Sequence, residues 1–559
     1  MFGLALLTAR RLGAKGFAAI VLCLVAAVAS HSRMLPRPET LAAVLLGAYL
    51  WILERRRQGG GDATLALPAL ALVWANVHIS YFLGLFVLGT HAGWATAVAR
   101  RPPPAHPGRL WGVLAGCVVT SFVNPFGWRA LWEPFAFALR GRSELVYRTI
   151  DELQPLSFTD SWMELTPLVI LLWPALWLWR ASRGRRDPLE LVLLVVLFAL
   201  AWSSRRFVGF FAVAMAPYAA RAACEWVGGL TRPASGRAPG WAAAGAATAL
   251  CALAAAPTLL WSHRRLGIGI DPAAEYRGVC DFIERHDVRG RMFNHFHVGG
   301  YLLWRLWPDR LPFTDIHQAG TREDMTAYVL ALHRREAWER LAARREFDHV
   351  VLDRTFQAES LAVFLESDPR WSAVFVDDVG LLFLRRGASH DALIERYGYR
   401  RLLATPAGWA QVAGRAEQDS SLRRELGAEL DRAIAESADH QSLCAMRADL
   451  ALLDRDYGAA RRYLERAHQE PAAIPRYHER LGLAALGEGD AAEALRQFRL
   501  QLRRWPGAAD LEARIGEAHL AMGDTAAARA QFLRELAKHP GSPLARARLE
   551  ALGAPSRAE

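Results

Sequence analysis

Long apolar runs fill the first half of the chain, while the second half carries apolar positions at helix and strand spacing; the pattern changes near residue 262. The runs cover about 17–30, 37–53, 63–78, 80–98, 110–123, 163–179, 188–203, 206–223 and 240–261. A helix needs about 20 apolar residues to cross a hydrocarbon core of about 30 Å. The pattern therefore predicts an α-helical polytopic membrane domain of about nine spans over residues 1–262, with one or two shorter runs re-entrant or buried.

Beyond it, strands are expected near 291–294, 311–314, 350–352, 372–376 and 380–385, with helices near 271–286, 299–306, 322–344 and 357–366. Asp377-Asp378-Val379 reads as the turn of a hairpin. This alternation predicts a small α/β domain over 263–388. A helical linker or degenerate repeat follows at 389–440.

Gly482, Gly489, Asp490, Ala494, Phe498 and Pro506 recur at one fixed offset as Gly516, Gly523, Asp524, Ala528, Phe532 and Pro540. One period earlier stand Ala448, Asp456, Ala460 and Leu464. The offset matches the tetratricopeptide period of about 34 residues, with small residues at a helix crossing and proline at the end. Three such repeats are therefore expected over 441–552. They expose a surface suited to a protein or peptide partner; packing on the α/β domain or self-association would use the same surface.

Charge sharpens this picture. Residues 1–262 hold 24 Arg and Lys against 12 Asp and Glu, and the remainder holds 43 against 44, so the net +11 of the chain belongs to the segments between apolar runs. That distribution orients spans in a bilayer and excludes a nucleic-acid binder, which would gather the charge on a soluble face. With the N-terminus inside, inner segments carry 16 positive charges and outer segments 8. Nine spans then place the C-terminal half outside the cytoplasm, as expected for a bacterial inner-membrane protein with a periplasmic or extracytoplasmic soluble half. The first run also fits a signal peptide ending near Ala27-Val28-Ala29-Ser30, which leaves the same sidedness. Six scattered cysteines give no disulfide framework and no zinc spacing.

Several short stretches carry candidate chemistry. Asn76 and His78 lie where one run turns into the next, at a depth where polar groups serve either a lipid-phosphate headgroup or hydrogen bonds between helices. Asp151 and Glu152 lie in the long outer loop, as a base for an acceptor hydroxyl or as partners of Arg148 or Arg142. His295, His297, Asp315 and His317 form His-x-His and Asp-x-His pairs that would converge on adjacent strands, a set suited to a divalent metal such as zinc or manganese, or to local packing. Gly299-Gly300 between strand and helix fits a phosphate-cradling turn or close backbone packing.

The ordered set Arg37-Pro38-Glu39, Trp74-Ala75-Asn76-Val77-His78, Asn124-Pro125-Phe126-Gly127, Asp151-Glu152-Leu153-Gln154-Pro155, Arg205-Arg206-Phe207, Arg289-Gly290-Arg291-Met292-Phe293-Asn294, Val298-Gly299-Gly300-Tyr301-Leu302-Leu303-Trp304 and Pro312-Phe313-Thr314-Asp315 resembles bacterial membrane proteins of glycosyltransferase-C-like architecture. Protein mannosyltransferases and the aminoarabinose transferases of lipid A share that architecture. The resemblance covers roughly residues 36–386. It implies sugar transfer from a polyprenyl-phosphate donor, with a carboxylate in the first external loop acting as base or metal ligand. From the residues themselves, Asp151 and Glu152 are the candidate catalytic carboxylates, and Asn76, His78 and Asp315 the candidate substrate-binding residues. The chain departs from the family where Asn-Leu-His-Gly-Gly-Phe is expected and Asn76-Val77-His78-Ile79-Ser80-Tyr81 stands, and where Asp-Gly-Arg is expected and Asp315-Ile316-His317 stands. The family's acidic first loop, between two spans ahead of the Arg-Pro-Glu region, has no counterpart here. Catalysis is therefore left open, and a non-catalytic envelope scaffold that recruits a partner through its repeats is the alternative.

Overall fold

The computed structural model describes residues 1–14, 17–30, 37–98, 106–139, 150–157, 166–230, 276–315, 321–354, 360–387, 389–437, 440–467 and 474–553. The chain is mostly helical with one small mixed sheet, and it divides into two compact units, Met1–Arg264 and Arg265–Glu559.

The first unit comprises α1 (Phe2–Arg11), α2 (Phe17–Ala29), α3 (Pro38–Arg57), α4 (Leu67–Val77), α5 (Phe82–Ala97), α6 (Pro107–Ser121), α7 (Trp128–Leu139), α8 (Thr166–Ser182), α9 (Pro188–Ser203) and α10 (Val208–Leu230). Eight of the nine apolar runs coincide with α2–α6 and α8–α10; the ninth, 240–261, lies outside the described residues. Among the described residues, only the helical stretch Arg205–Trp226 is long and apolar enough to cross a membrane by itself. The shorter apolar helices Ala19–Ala29, Thr64–Val77 and Pro188–Ser203 fall below that length. The reason is local. Charges such as Glu54, Arg55, Arg56 and Arg57 close α3, and His78 and Ser204 end α4 and α9 at the limits of their apolar runs.

Both faces of these helices are apolar. On α9, Leu193, Leu194, Leu197 and Ala201 are buried, while Leu191, Val192, Val195 and Trp202 are exposed. The ion pairs sort helix termini into two ends. One gathers the start of α3, the end of α4, the Asp151–Leu153 turn and the start of α10; the other gathers the end of α3, the starts of α6 and α9, and the ends of α8 and α10. The chain thus passes from end to end along successive helices.

The second unit begins with α11 (Arg277–Arg285), β1 (Met292–Asn294), α12 (Phe296–Leu306), α13 (Arg322–His333), α14 (Arg335–Arg345), β2 (His349–Asp353), α15 (Ser360–Ser367), β3 (Trp371–Val376) and β4 (Gly380–Arg385). The sheet order is β1-β2-β4-β3, with β1 and β2 parallel and the other neighbours antiparallel. The expected hairpin is present, and Asp377 Oδ1 closes its turn by accepting from the N–H groups of Val379 (3.0 Å) and Gly380 (2.6 Å). Val279, Phe282 and Ile283 of α11 and Val298, Leu302 and Leu306 of α12 share a core with Val351, Leu382 and Leu384 of the sheet.

Two expectations fail here. The strand near 311–314 does not form. Pro312 lacks a ladder donor, and the buried Asn294 side chain binds that segment instead, accepting from Phe313 N (2.8 Å) and Thr314 N (3.2 Å) and donating to Thr314 O (2.7 Å). The single helix near 322–344 breaks at Arg334, whose backbone is extended (φ −129°, ψ 121°). Residues ten apart in one continuous helix point about 80° apart; the break lets both Tyr328 and Trp338 reach Phe293, at 5.5 and 5.1 Å between ring centroids.

Helices α16 (Asp391–Tyr397), α17 (Pro406–Ala416) and α18 (Ser420–Glu436) follow. They join the sheet to the repeats: Glu429 accepts from the N–H groups of Arg400, Arg401 and Leu402, and Ser437 Oγ donates to Asp377 Oδ2 at 3.0 Å. The last helices are α19 (Gln441–Leu453), α20 (Tyr457–Arg466), α21 (Tyr477–Gly487), α22 (Ala491–Arg504), α23 (Leu511–Ala521), α24 (Thr525–Lys538) and α25 (Pro543–Ala551). Their geometry recurs with the sequence period. Asp456, Asp490 and Asp524 cap α20, α22 and α24, each accepting from the N–H three residues on at 2.9 Å. Arg476 and Asp510 take the left-handed conformation before α21 and α23 (φ 58° and 63°). Gly482 and Gly516 let Phe498 and Phe532 lie against the backbone: a Cβ on Gly516 would fall 2.6 Å from Phe532 Cε1, and one on Gly482 would meet Phe498 closer still. Ala494 and Ala528 are buried beside these rings, and Pro506 and Pro540 follow the ends of α22 and α24.

Candidate functional site

Three segments far apart in the sequence meet at one end of the first unit. Arg37 stands extended before α3, Pro38 starts the helix with a ready-made φ, and Glu39 sits in the first turn, where a helix dipole favours negative charge. The Asp151–Leu153 turn is held against the segment before α10. Ser204 Oγ donates to Glu152 O (3.0 Å), Arg205 N to Gln154 O (3.0 Å) and Leu156 N to Trp202 O (3.3 Å). These bonds bring Glu152 between two arginines, 3.4 Å from Arg37 and 3.7 Å from Arg206. Arg206 also lies 3.6 Å from the buried Glu39 carboxylate.

Glu39 lines a small half-open cleft with Thr40, Ala43, Gly209, Phe210, Ser30 and Met1. Separations of 3.4–3.7 Å leave these ion pairs looser than good charge-assisted hydrogen bonds, and both arginines are partly exposed. Such a set can exchange a carboxylate partner for another anion, and a guanidinium fork fits the oxygens of a phosphate. Glu152 could accept a proton from a hydroxyl once a ligand displaces an arginine from it.

His78 stands beside this cleft, its ring 6.4 Å from that of Phe210. Its Nδ1 accepts from Ser80 N (3.2 Å) and faces Ser80 Oγ (2.7 Å), which accepts from Trp74 Nε1 (3.2 Å); a neutral ring therefore carries its proton on Nε2. Asn76 is not part of the cluster. Its amide donates to Leu72 O (2.9 Å) and Val123 O (2.8 Å), so it ties the end of α4 to the end of α6. Asp151 has its backbone among the described residues, but not its side chain. Glu152 pairs with Arg37 and Arg206, and the alternative partners Arg142 and Arg148 lie outside the described residues.

The second unit places its candidates differently. His295 is buried and its Nδ1 accepts from Asp353 N at 3.0 Å, whereas His297 is exposed on the first turn of α12. Strand β1 ends at Asn294, so the His-x-His pair is not extended and its two rings do not share a side. His317 lies outside the described residues, and Asp315 follows the segment held by Asn294. Among the described residues no group of three or more His, Cys, Asp or Glu is arranged to hold a metal ion. Gly299 packs where a Cβ would clash with Thr314 O and lie 2.8 Å from Asp315 Cα, so close packing accounts for that glycine.

The opposite end of the first unit holds a denser network. Glu54, fully buried, accepts from Tyr218 Oη (2.8 Å) and Arg57 (3.2 Å) and faces His91 Nε2 at 3.4 Å. Arg57 reaches Asp187 (2.6 Å), and Glu190 is held by Arg180 (3.1 Å) and by Arg221. Arg180 and Arg185 both bind Glu225, at 3.0 and 2.9 Å.

Sequence reading names Glu152 and His78 but carries neither Glu39 nor Arg206 as a site residue. The available signal is a carboxylate just inside an apolar run and an arginine just before another, since ionisable groups at such depth are costly and mark function or pairing. No model of a known protein family matches the chain, and no curated protein matches it.

Proposed function

We propose that this chain is a polytopic membrane protein of glycosyltransferase-C-like ancestry, and that its Arg37, Glu39, Glu152 and Arg206 cluster receives the phosphate and sugar of a polyprenyl-phosphate-linked sugar at the outer face of the cytoplasmic membrane. The observation that carries the reading is the meeting of Arg37, Glu152 and Arg206, from three separated segments, beside one cleft. The exposed apolar faces of α9 and its neighbours suit lipid rather than water. Ion pairs grouped at the two ends of the helices, with the middle apolar, suit spans that cross with their charges at the interfaces. The arginine-rich end containing Arg55–57 and Arg180–186 is then cytoplasmic, and the second unit is extracytoplasmic. The periodic recurrence of aspartate caps and Gly–Phe contacts supports tetratricopeptide repeats that bind a protein or peptide.

The test uses the full chain in nanodiscs and a polyprenyl phosphate as probe. Arg206→Ala weakens binding at least about tenfold, the size of one lost charge-assisted contact; unchanged binding would remove the cluster from the site. A transferase also loses sugar transfer in Glu152→Gln while the lipid still binds. The second reading, a non-catalytic scaffold, is favoured by Glu152 being held between two arginines. It predicts lipid binding with no transfer in the unmodified chain and capture of an envelope partner by the repeats.

A further inference from the structure

Among the described residues of the second unit, exposed large apolar side chains are densest at the end of α12 and the turn after it. Helix α12 buries Val298, Leu302 and Leu306 in the sheet core, yet its opposite face and the turn after it present Trp304 (70% exposed), Trp307 (66%) and Leu311 (56%) to solvent. The tryptophans lie three positions apart, and Tyr301, one turn earlier, places its ring 5.5 Å from that of Trp304. Charged groups border the patch and are mostly paired: Arg305 is engaged by Asp281 and Glu284 at 2.8 Å each and reaches the Tyr301 hydroxyl at 3.5 Å, Arg310 is engaged by Val288 O at 2.8 Å and by Asp287, and Asp309 is exposed between Trp307 and Leu311. Other exposed apolar side chains of this unit, Val363, Leu453, Trp505, Met522 and Leu533, are dispersed along the sequence. Tryptophan and tyrosine beside leucine are the side chains that settle at the boundary between headgroups and acyl chains.

We infer that Tyr301, Trp304, Trp307 and Leu311 seat the second unit on the surface of the bilayer that holds the first. The inference rests on the membrane reading above and names the lipid surface as the occupant because of where the chain enters this unit. The last apolar run ends at Trp261, a short stretch of sequence before Tyr276. Tyr276 lies 6.2 Å from Tyr301, centroid to centroid, and its hydroxyl donates to Asp353 at 2.8 Å. The chain coming from the apolar run therefore reaches this unit at the edge of the aromatic patch. The segment from Trp261 to Tyr276 spans at most about 50 Å even when fully extended. That tether keeps the patch at high effective concentration against the membrane, and weak intrinsic affinity is enough.

The experiment places a photocrosslinker in the full chain, reconstituted in nanodiscs that carry a fluorescent phospholipid. Leu311→p-benzoylphenylalanine is compared with Val195→p-benzoylphenylalanine on the exposed face of α9 and Met522→p-benzoylphenylalanine on the repeats. The expected result is lipid adduct at 311 comparable with 195 and absent at 522, and its loss from 311 when Trp304→Ser and Trp307→Ser are added. Adduct at 195 with none at 311 overturns the inference and leaves the membrane reading standing. No adduct at either position overturns both. A crosslink from 311 to a second copy or to another protein, or an adduct that survives loss of both tryptophans, also overturns it.

Discussion

The two units differ less in what they bury than in what they expose. Each encloses aromatic side chains together with paired carboxylates, Glu54 in the first and Asp377 and Glu535 in the second, but the first leaves Val119, Leu171 and Val195 exposed along its helices while the second shows few large apolar side chains outside the end of α12. A buried charge is tolerable only with partners, and Glu54 has Arg57, Tyr218 and His91 around it. Exposed leucines and valines on most helices of the first unit are what the lipid surroundings proposed for it would require. The contrast teaches that exposure, more than burial, is where the two units differ. Within the first unit the two ends also differ: the Glu54 network is close and enclosed, a structural lock, while the ion pairs of Glu152 with Arg37 and Arg206 are longer and partly exposed.

Four measurements would break or sharpen this contrast, from the largest effect to the smallest. Glu54→Ala leaves Arg57 and its neighbours without their shared acceptor, and should cost about 3–5 kcal/mol, read as loss of the folded, monodisperse species in detergent. Unchanged thermal stability would mean the network is not a lock.

The second unit encloses a histidine, His349. It is fully buried on β2, neither ring nitrogen has a hydrogen-bond partner, and burial, aided by the neighbouring His390, pushes its pKa down to about 3. The folded state thus prefers the neutral ring. Its contribution to stability is intact above about pH 6.5 and is lost as pH falls from there toward 3, at about 1.4 kcal/mol per pH unit. Urea pulse proteolysis of the second unit at pH 7 and pH 5 should show a drop of about 2 kcal/mol. His349→Gln should flatten that slope, and an equal slope in the variant would assign it elsewhere.

Gly516→Ala places a methyl against the Phe532 ring and should destabilise the repeats by about 1–3 kcal/mol, seen as faster hydrogen exchange in α23 and α24. Smallest for stability is Arg206→Ala, about 1 kcal/mol or less because the pair is partly exposed. Under the proposed function its main effect falls on polyprenyl-phosphate binding, and a large loss of stability would recast the cluster as another lock.

Much of this molecule is legible from local pattern. Apolar runs predict eight helices of the first unit, because a helix needs only its own residues to satisfy its backbone. The repeat spacing marks Gly482 and Gly516, and Phe498 and Phe532, as equivalent positions, because each repeat packs only on its neighbours; that each phenylalanine lies against the glycine of its own repeat comes from the packing. The hairpin at Asp377 is equally local. Two features depend on the fold. The strand at 311–314 gives way to the Asn294 side chain, since Pro312 cannot donate and the competing partner sits on β1, beyond the whole of α12. The break at Arg334 follows from two aromatic residues needing the same neighbour, a demand that no helical period records.

The site divides in the same way. Sequence alone marks Glu152, His78 and the arginines as unusual for their surroundings, because a charge next to an apolar run is costly wherever it folds. Which carboxylate meets which arginine, across 115 residues between Arg37 and Glu152, is decided only by packing, since contact across such a distance depends on how helices stack and leaves no mark on spacing.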